Sequence, residues 1–145
     1  MREVTGEMWN YYGREGFKIC ITTNGFVKND GTGVMGAGCA REAAERFPDL
    51  PYLLGQSLTL RGNVVSLLTP DIISFPVKHN WYEKADLKLI KKSVDELKKR
   101  ALARPKLKFI LPRPGCGNGH LKYEKVKPLL IDLPDNVFVI TKEKE

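Results

Sequence analysis

The sequence predicts an α/β fold in which one sheet carries helices on both faces. Strand-like segments alternate along the chain with segments whose apolar residues recur at helical spacing, and this alternation is typical of α/β proteins. The chain has 145 residues, the usual size of one domain, and 42% of them are hydrophobic, which is enough for a core. We therefore expect a single domain over residues 1–145.

Five strands and three helices are predicted along the chain. The strands are FKICITTNG (17–25), KLKFIL (106–111), NVFVI (136–140), and a pair around Thr69-Pro70 formed by NVVSLL (63–68) and DIISFPV (71–77). The helices are VMGAGCAREAAERFP (34–48), which opens among glycines, a segment at 87–101 with Asp86 as N-cap, and YEKVKPLLIDL (123–133). The tail KEKE (142–145) is expected to be frayed.

The charge of the chain favours polyanionic partners. Lys and Arg together number 24 and Asp and Glu 17, which gives a net charge of +7. Such an excess suits nucleic acid or phosphorylated ligands, but a solvated basic helix explains it equally well. There is no membrane-length apolar stretch and no signal-peptide pattern, so we expect a cytoplasmic protein without membrane contact.

The cysteines predict neither disulfides nor a metal site. Cys20, Cys39 and Cys116 form no CxxC pair, and their odd number fits no closed set of disulfides. With only His79 and His120 besides, a structural zinc site is not expected. Cys116 lies within a glycine-rich stretch, where we interpret it as a small packing residue rather than a nucleophile.

Two glycine-rich segments predict a binding site for a ligand with two phosphates. The first glycine segment is NGFVKNDGTGVMGAG (24–38) and the second is PGCGNG (114–119); each follows a strand and precedes a helix. Ligands bind beyond the carboxyl ends of the strands in such sheets, and glycines let backbone N–H groups approach an anion. Neither segment is a Walker loop. The stretch GTGVMG at 31–36 matches the GxGxxG pattern of dinucleotide-binding proteins. The second strand that should follow in such a protein is not predicted, so we reject a dinucleotide-binding fold.

The chain resembles the macrodomain family. The similarity lies in TTNGFVKNDGTGVMGAGCAREAAERFP, SFPVKHNW and PRPGCGNGHLKYEKV, in this order, and extends over residues 4–140. It is strongest with the branch that contains the terminal ADP-ribose glycohydrolases and the DarG antitoxin macrodomains. The resemblance implies a three-layer α-β-α fold around a mixed sheet of about six strands, with ADP-ribose as the ligand and no cofactor.

The resemblance also implies roles for single residues. Glu7 stands where the family has an acidic residue facing the adenine amino group, although a surface glutamate is an equal reading. Asn24 matches the asparagine near the distal ribose and is expected to act with Lys78 in catalysis. The further residues expected to bind the ligand are Met8, Thr23, Gly33, Val34, Met35, Gly36, Ala37, Gly38, Pro114, Gly115, Cys116, Gly117, Asn118, Gly119, His120 and Leu121.

Lys78 in FPVKHNW matches the lysine that the glycohydrolase branch uses. A cationic lysine beside the distal ribose could stabilise a departing base or carboxylate. A desolvated, neutral lysine could instead attack C1″ of the opened sugar. Both roles remain open on the sequence.

The sequence departs from the family pattern at Gly119. The protein-glutamate hydrolases of this branch pair the lysine with an aspartate at this position. With a glycine there, the sequence is more similar to those of the DNA-acting antitoxins. Trp81 could stack on a nucleobase or pack under the rim of the site. His120 could donate to a phosphate or be an exposed loop residue.

Three functions are compatible with these motifs. The first is an ADP-ribosyl hydrolase that acts on nucleic acid, or on protein. The second is a non-catalytic ADP-ribose-binding module. The third is a phosphatase or deacetylase acting on ADP-ribose 1″-phosphate or O-acetyl-ADP-ribose. A monomer is expected, with ADP-ribosylated nucleic acid or protein as partner and possible contact with DNA.

Overall fold

A six-stranded mixed sheet forms the centre of the protein in the computed structural model, which describes residues 1–142. The strands are β1 (Arg2–Thr5), β2 (Phe17–Asn24), β3 (Ser66–Thr69), β4 (Ile72–Lys78), β5 (Lys108–Pro112) and β6 (Val137–Thr141). Their order in the sheet is β1-β6-β5-β2-β4-β3. Only the pairing of β3 with β4 is antiparallel among the described strands. The mixed sheet of six strands is confirmed. The fraying expected for the tail at 142–145 falls, apart from Lys142, on residues outside the described range.

The helices form a layer on each face of the sheet. They are α1 (Gly38–Arg46), α2 (Leu50–Arg61), α3 (Leu87–Ala103) and α4 (Tyr123–Leu130), with a short 3-10 helix at Met8–Tyr11. Buried residues of α1, α2 and the 3-10 helix share one apolar cluster, and those of α3 and α4 share the other. The three-layer α-β-α arrangement is therefore confirmed. No helix within residues 1–142 has the length and apolarity needed to cross a membrane.

The central strands are buried on both faces, as parallel strands between two helical layers must be. In β4 every residue from Ile72 to Val77 is buried, and only Lys78 at the carboxyl end reaches solvent. In β2 the residues from Ile19 to Ile21 and Thr23 are buried, and Asn24 at the carboxyl end is partly exposed. The carboxyl ends of these neighbouring strands therefore present polar side chains at the same edge of the sheet.

The structure differs from the prediction in the bounds of two helices and in two elements that were not predicted. The helix expected at 34–48 begins only at Gly38, because residues 34–37 belong to the extended end of the first glycine segment. The helix expected at 123–133 ends at Leu130. The sequence reading missed β1 and α2 altogether. Pro51 lies in the first turn of α2, where a proline is compatible with a helix.

Candidate functional site

The two glycine segments meet above the carboxyl ends of β2 and β5, which are neighbours in the sheet. The first segment connects β2 to α1, and the second lies between β5 and α4. They approach so closely that a Cβ on Gly38 would lie 2.9 Å from Nδ2 of Asn118. Gly38 has a φ of 59°, which glycine adopts readily and other residues adopt rarely. The expected meeting of the two segments at one edge is thus present in the structure.

A cavity of about 540 Å³ lies between the segments, a size that suits a small-molecule ligand. We call it the ribose-side cavity only because Lys78, which the family resemblance implies to lie beside a ribose, lines it. The predicted site residues that line it are Thr23, Asn24, Val34, Gly36, Ala37, Gly38, Lys78, Trp81, Gly115, Gly117, Asn118 and Gly119.

A second cavity of about 710 Å³, the outer cavity, adjoins the first. The predicted site residues that line it are Glu7, Met8, Gly38, Cys116, Gly117 and Leu121. Both cavities are lined by Gly38, Cys39, Pro112, Arg113 and Gly117, so they adjoin along these residues, and we call the two together the cleft. Glu7 is therefore placed in the cleft rather than elsewhere on the surface, and its side chain also accepts a hydrogen bond from the backbone N–H of Trp9 at 3.4 Å.

Four residues predicted to bind the ligand line neither cavity. Gly33 faces α2, where an added Cβ would lie 2.7 Å from Cδ2 of Leu54. Met35 is 7% exposed and packs in the same apolar cluster as Leu54. Pro114 is buried at the start of the second segment, and His120 is exposed with a φ of 61°. In this structure Gly33 and Met35 anchor the first segment to α2, and His120 matches its reading as an exposed loop residue.

Lys78 projects from the end of β4 into the ribose-side cavity. Its Nζ donates to the backbone oxygen of Asn118 at 2.9 Å and to that of Trp81 at 3.4 Å. Both acceptors are uncharged, and no carboxylate within residues 1–142 forms a salt bridge with this ammonium group. An ammonium group has three donors, so Lys78 can hold the second segment in place and still bind an anionic or polar ligand atom.

Asn24 stabilises the first segment. Its Nδ2 donates to the backbone oxygen of Val34 at 3.0 Å, and its Oδ1 accepts from the backbone N–H of Phe26 at 3.1 Å. The side-chain amide retains one N–H and one lone pair for a ligand. Neighbouring Thr23 is 4% exposed, and its hydroxyl has no hydrogen-bond partner among the described residues.

The second segment leaves no room for a side chain at position 119. A Cβ on Gly119 would lie 2.5 Å from the oxygen of Gly115 and 2.8 Å from Cβ of Ala85. The aspartate of the protein-glutamate hydrolases is therefore absent from the sequence and also incompatible with this backbone arrangement.

The cysteine thiols near the cleft are not activated. Burial raises the pKa of Cys116, and its Sγ lies 3.4 Å from the backbone oxygen of Pro114. Burial likewise raises the pKa of Cys39, whose Sγ accepts from the backbone N–H of Thr22 at 3.3 Å. A nucleophilic thiolate requires a lowered pKa, so the interpretation of Cys116 as a packing residue fits the structure.

Two exposed aromatic rings stand at the rim of the ribose-side cavity. Trp81 is 52% exposed and Tyr82 is 65% exposed, and their rings meet edge to face with centroids 5.4 Å apart. Close to them, His79 Nε2 lies 2.8 Å from Oδ2 of Asp86, which caps α3. Trp81 lines the cavity with about half of its surface free, so packing under the rim does not account for all of this side chain.

The sequence reading missed Arg113 and Tyr123. Arg113 lines both cavities, and its guanidinium carbon lies 3.9 Å from the ring centroid of Tyr123. Arg113 could have been predicted as a site residue because it directly follows β5, and ligands bind beyond the carboxyl ends of the strands in such sheets. No group of three or more His, Cys, Asp or Glu residues within the described range is arranged to hold a metal ion.

Comparison with known proteins identifies the fold. Neither a protein-family model nor a curated protein sequence matches the chain. Among solved structures, DarTG of Thermosipho africanus in complex with ADP-ribose is similar over 97% of this chain, with a TM-score of 0.74 and 20% sequence identity; the chain spans 41% of its length. The DarG macrodomain of Mycobacterium tuberculosis has a TM-score of 0.74 and 22% identity, over 99% of this chain and 97% of its own. For the DarG macrodomain of Thermus aquaticus the TM-score is 0.73 and the identity 24%, with coverage of 99% and 97%. The protein therefore has the macrodomain fold, with DarG macrodomains among the solved structures that it resembles.

Proposed function

We propose that the protein binds ADP-ribose in the cleft and removes it from nucleic acid by hydrolysis. One observation carries this proposal. The ammonium group of Lys78 and the two glycine segments share one cavity, with Lys78 Nζ only 2.9 Å from the second segment at Asn118. A diphosphate held by backbone N–H groups would thus extend toward a cation at the end of β4.

The fold supports the choice of ligand. The similar DarTG structure was determined in complex with ADP-ribose, and this chain aligns with it over 97% of its length. The cleft has two adjoining parts, which suits an elongated nucleotide with a sugar at one end and a base at the other. The free donor and acceptor of the Asn24 side chain suit the hydroxyl groups of a ribose.

Lys78 is proposed as the catalytic residue. In the hydrolysis, the bond between C1″ of the ribose and the nucleobase breaks, water supplies the new C1″ hydroxyl, and the base leaves with a proton. The two carbonyl acceptors around Nζ bind the ammonium form, which supports an electrostatic role in stabilising the departing base.

Nucleic acid is favoured over protein as the carrier of ADP-ribose by two features. Position 119 excludes the aspartate on which the protein-glutamate hydrolases rely. At the cleft rim, Trp81 and Tyr82 expose aromatic rings of the kind on which single-stranded bases stack. The net charge of +7 adds a general attraction for a polyanion.

A non-catalytic ADP-ribose-binding module is the second candidate. The same exclusion of an aspartate at Gly119 supports it, because Lys78 would then act without a carboxylate partner. The two candidates share the ligand and differ only in turnover.

The test is release of ADP-ribose from single-stranded DNA that carries it on a base. Wild type, Lys78→Ala, Lys78→Arg and the control Lys99→Ala, which removes an exposed lysine of α3 remote from the cleft, are compared. We expect release by wild type and by the control, and a loss of about 10²–10⁴-fold in kcat for Lys78→Ala, the range for a positioned group that assists charge or proton transfer. Calorimetry should show that Lys78→Ala still binds ADP-ribose.

The other possible outcomes would change the proposal in different ways. Binding of ADP-ribose without release by wild type on DNA, RNA and protein conjugates would establish the binding module. Equal rates for wild type and Lys78→Ala would remove Lys78 from the mechanism. Absence of ADP-ribose binding by wild type would refute both candidates.

A further inference from the structure

The wall shared by the two cavities carries one charged side chain. Of the five residues that line both cavities, three have no ionisable side chain, Cys39 is a protonated thiol, and Arg113 is the only permanent charge. Arg113 is partly buried, and no carboxylate within residues 1–142 forms a salt bridge with it. The Glu3 carboxylate interacts with Arg113 electrostatically without forming a direct salt bridge. A guanidinium group in a cleft wall without a direct carboxylate contact can receive an anion from the ligand.

A chain of side chains holds Arg113 in this place. Its guanidinium carbon lies 3.9 Å from the ring centroid of Tyr123, well within the range of a cation–π contact. The hydroxyl of Tyr123 donates to Oε2 of Glu3 at 2.8 Å, while Lys127 Nζ lies 2.7 Å from Oε1 of the same carboxylate. The ring is thus fixed between β1 and α4.

The ionisation states of Glu3 and Tyr123 agree with these contacts. The hydrogen bonds from Lys127 and Tyr123 lower the pKa of Glu3, so its carboxylate remains anionic at neutral pH. Burial and the hydrogen bond to Glu3 raise the pKa of Tyr123, so its hydroxyl remains a donor. A cation–π contact uses the charge of the guanidinium group and not its N–H donors, so these donors remain available for hydrogen bonds.

We propose that Arg113 binds the phosphate groups of the nucleotide at the junction of the two cavities, and that Tyr123 positions it. The inference rests on the proposed function, since it assumes a nucleotide that spans both cavities. The backbone N–H groups of the two glycine segments are uncharged donors. Arg113 adds a full charge to them, which makes affinity depend on the phosphates and on ionic strength.

The test compares ligands that differ in charge. Affinities for ADP-ribose, ADP and adenosine are measured by calorimetry and ligand-observed NMR for wild type, Arg113→Gln and Arg113→Lys. The control Arg14→Gln removes the same charge and a comparable ring contact, because Arg14 lies 5.0 Å from the ring centroid of Tyr11 and lines neither cavity. Thermal unfolding confirms that each variant is folded.

We expect Arg113→Gln to weaken binding of ADP-ribose and ADP by about tenfold to hundredfold, the range for one hydrogen-bonded charge, and to leave adenosine binding unchanged. The salt dependence of ADP-ribose affinity should fall in the same variant. Arg113→Lys should recover part of the loss and Arg14→Gln should match wild type. Tyr123→Ala should weaken ADP-ribose binding in the same direction, and Tyr123→Phe should do so less, because it keeps the ring.

Three results would overturn the assignment. Unchanged ADP-ribose affinity in Arg113→Gln refutes it while the proposed function stands. An equal loss for adenosine moves the contact from the phosphates to the base. A wild-type protein that binds neither ADP-ribose nor ADP refutes this assignment together with the proposed function.

Discussion

Gly119→Ala should destabilise the protein by crowding the second glycine segment. The added methyl carbon would lie 2.5 Å from the oxygen of Gly115, 2.7 Å from its Cα and 2.8 Å from Cβ of Ala85. These neighbours cannot withdraw freely, since the Gly115 oxygen accepts from the N–H of Leu121 at 2.9 Å and the Gly119 oxygen accepts from the N–H of Ala85 at 3.1 Å. Overpacking of this kind costs about 1–3 kcal/mol.

Gly117→Ala is the matched control in the same segment. No atom lies within 4 Å of a Cβ built on Gly117, and its φ is not positive. Both substitutions restrict the unfolded chain to the same extent, so the difference between them isolates the crowding at Gly119. Urea denaturation should show this difference in stability as a difference between the two unfolding midpoints on the order of 1 M urea, because the free energy of unfolding falls by about 1–3 kcal/mol per M urea. Equal midpoints for the two variants would refute the steric argument about position 119.

Three further changes test other parts of the structure. Gly55→Ala would place a methyl group against a backbone carbonyl of the first glycine segment, so it should lower both the melting temperature and the affinity for ADP-ribose; normal values of both would show that α2 does not support this segment. Asp86→Ala should cost about 1 kcal/mol near pH 7, because Asp86 accepts from the N–H of Lys88 at the start of α3. Hydrogen bonds from His79 and then from Lys88 lower the pKa of the Asp86 carboxyl in the folded protein. The loss of stability in Asp86→Ala should therefore be full above pH ~4, where unfolded aspartate titrates, and should decline as the pH falls through the lower pKa of the folded state. A loss of stability in urea titrations that is constant down to about pH 2 would contradict this. Cys116→Ser should retain ADP-ribose release, because burial raises the pKa of this thiol; loss of turnover in a folded variant that still binds ADP-ribose would indicate thiol chemistry.

The strands that carry the site were predictable because parallel strands under two helical layers must be apolar throughout. The central parts of β2, β4 and β5 are mostly apolar and buried, and the polar residues that end β2 and β4 mark the edge of the sheet. The meeting of the two glycine segments was predictable for the same reason, since each segment follows a strand whose carboxyl end lies at this edge of the sheet. β1 gave no such signal, because it is a four-residue edge strand with mostly exposed side chains.

The missed helix and the missed arginine have physical reasons. In α2 the buried positions Leu50, Leu54 and Leu58 recur every four residues, but Leu60 is 81% exposed, so the apolar pattern does not define one face. The stacking of Arg113 on a ring of α4 depends on how that helix begins, which no spacing along the chain specifies. The inward orientation of Gly33 and Met35 likewise depends on α2, and matching the family motif could not reveal it.

The three strands that form the cleft come from distant parts of the chain. Asn24 ends β2, Lys78 ends β4 and Pro112 ends β5, although the three strands are consecutive in the sheet. The binding site therefore exists only after long-range pairing is complete, which links ligand binding to the folding of the whole sheet. A nucleotide that binds only this folded state would stabilise it by about 2.7 kcal/mol at a concentration one hundred times its Kd. The abundance of the ligand in the cell would then set how long each copy of the protein survives proteolysis.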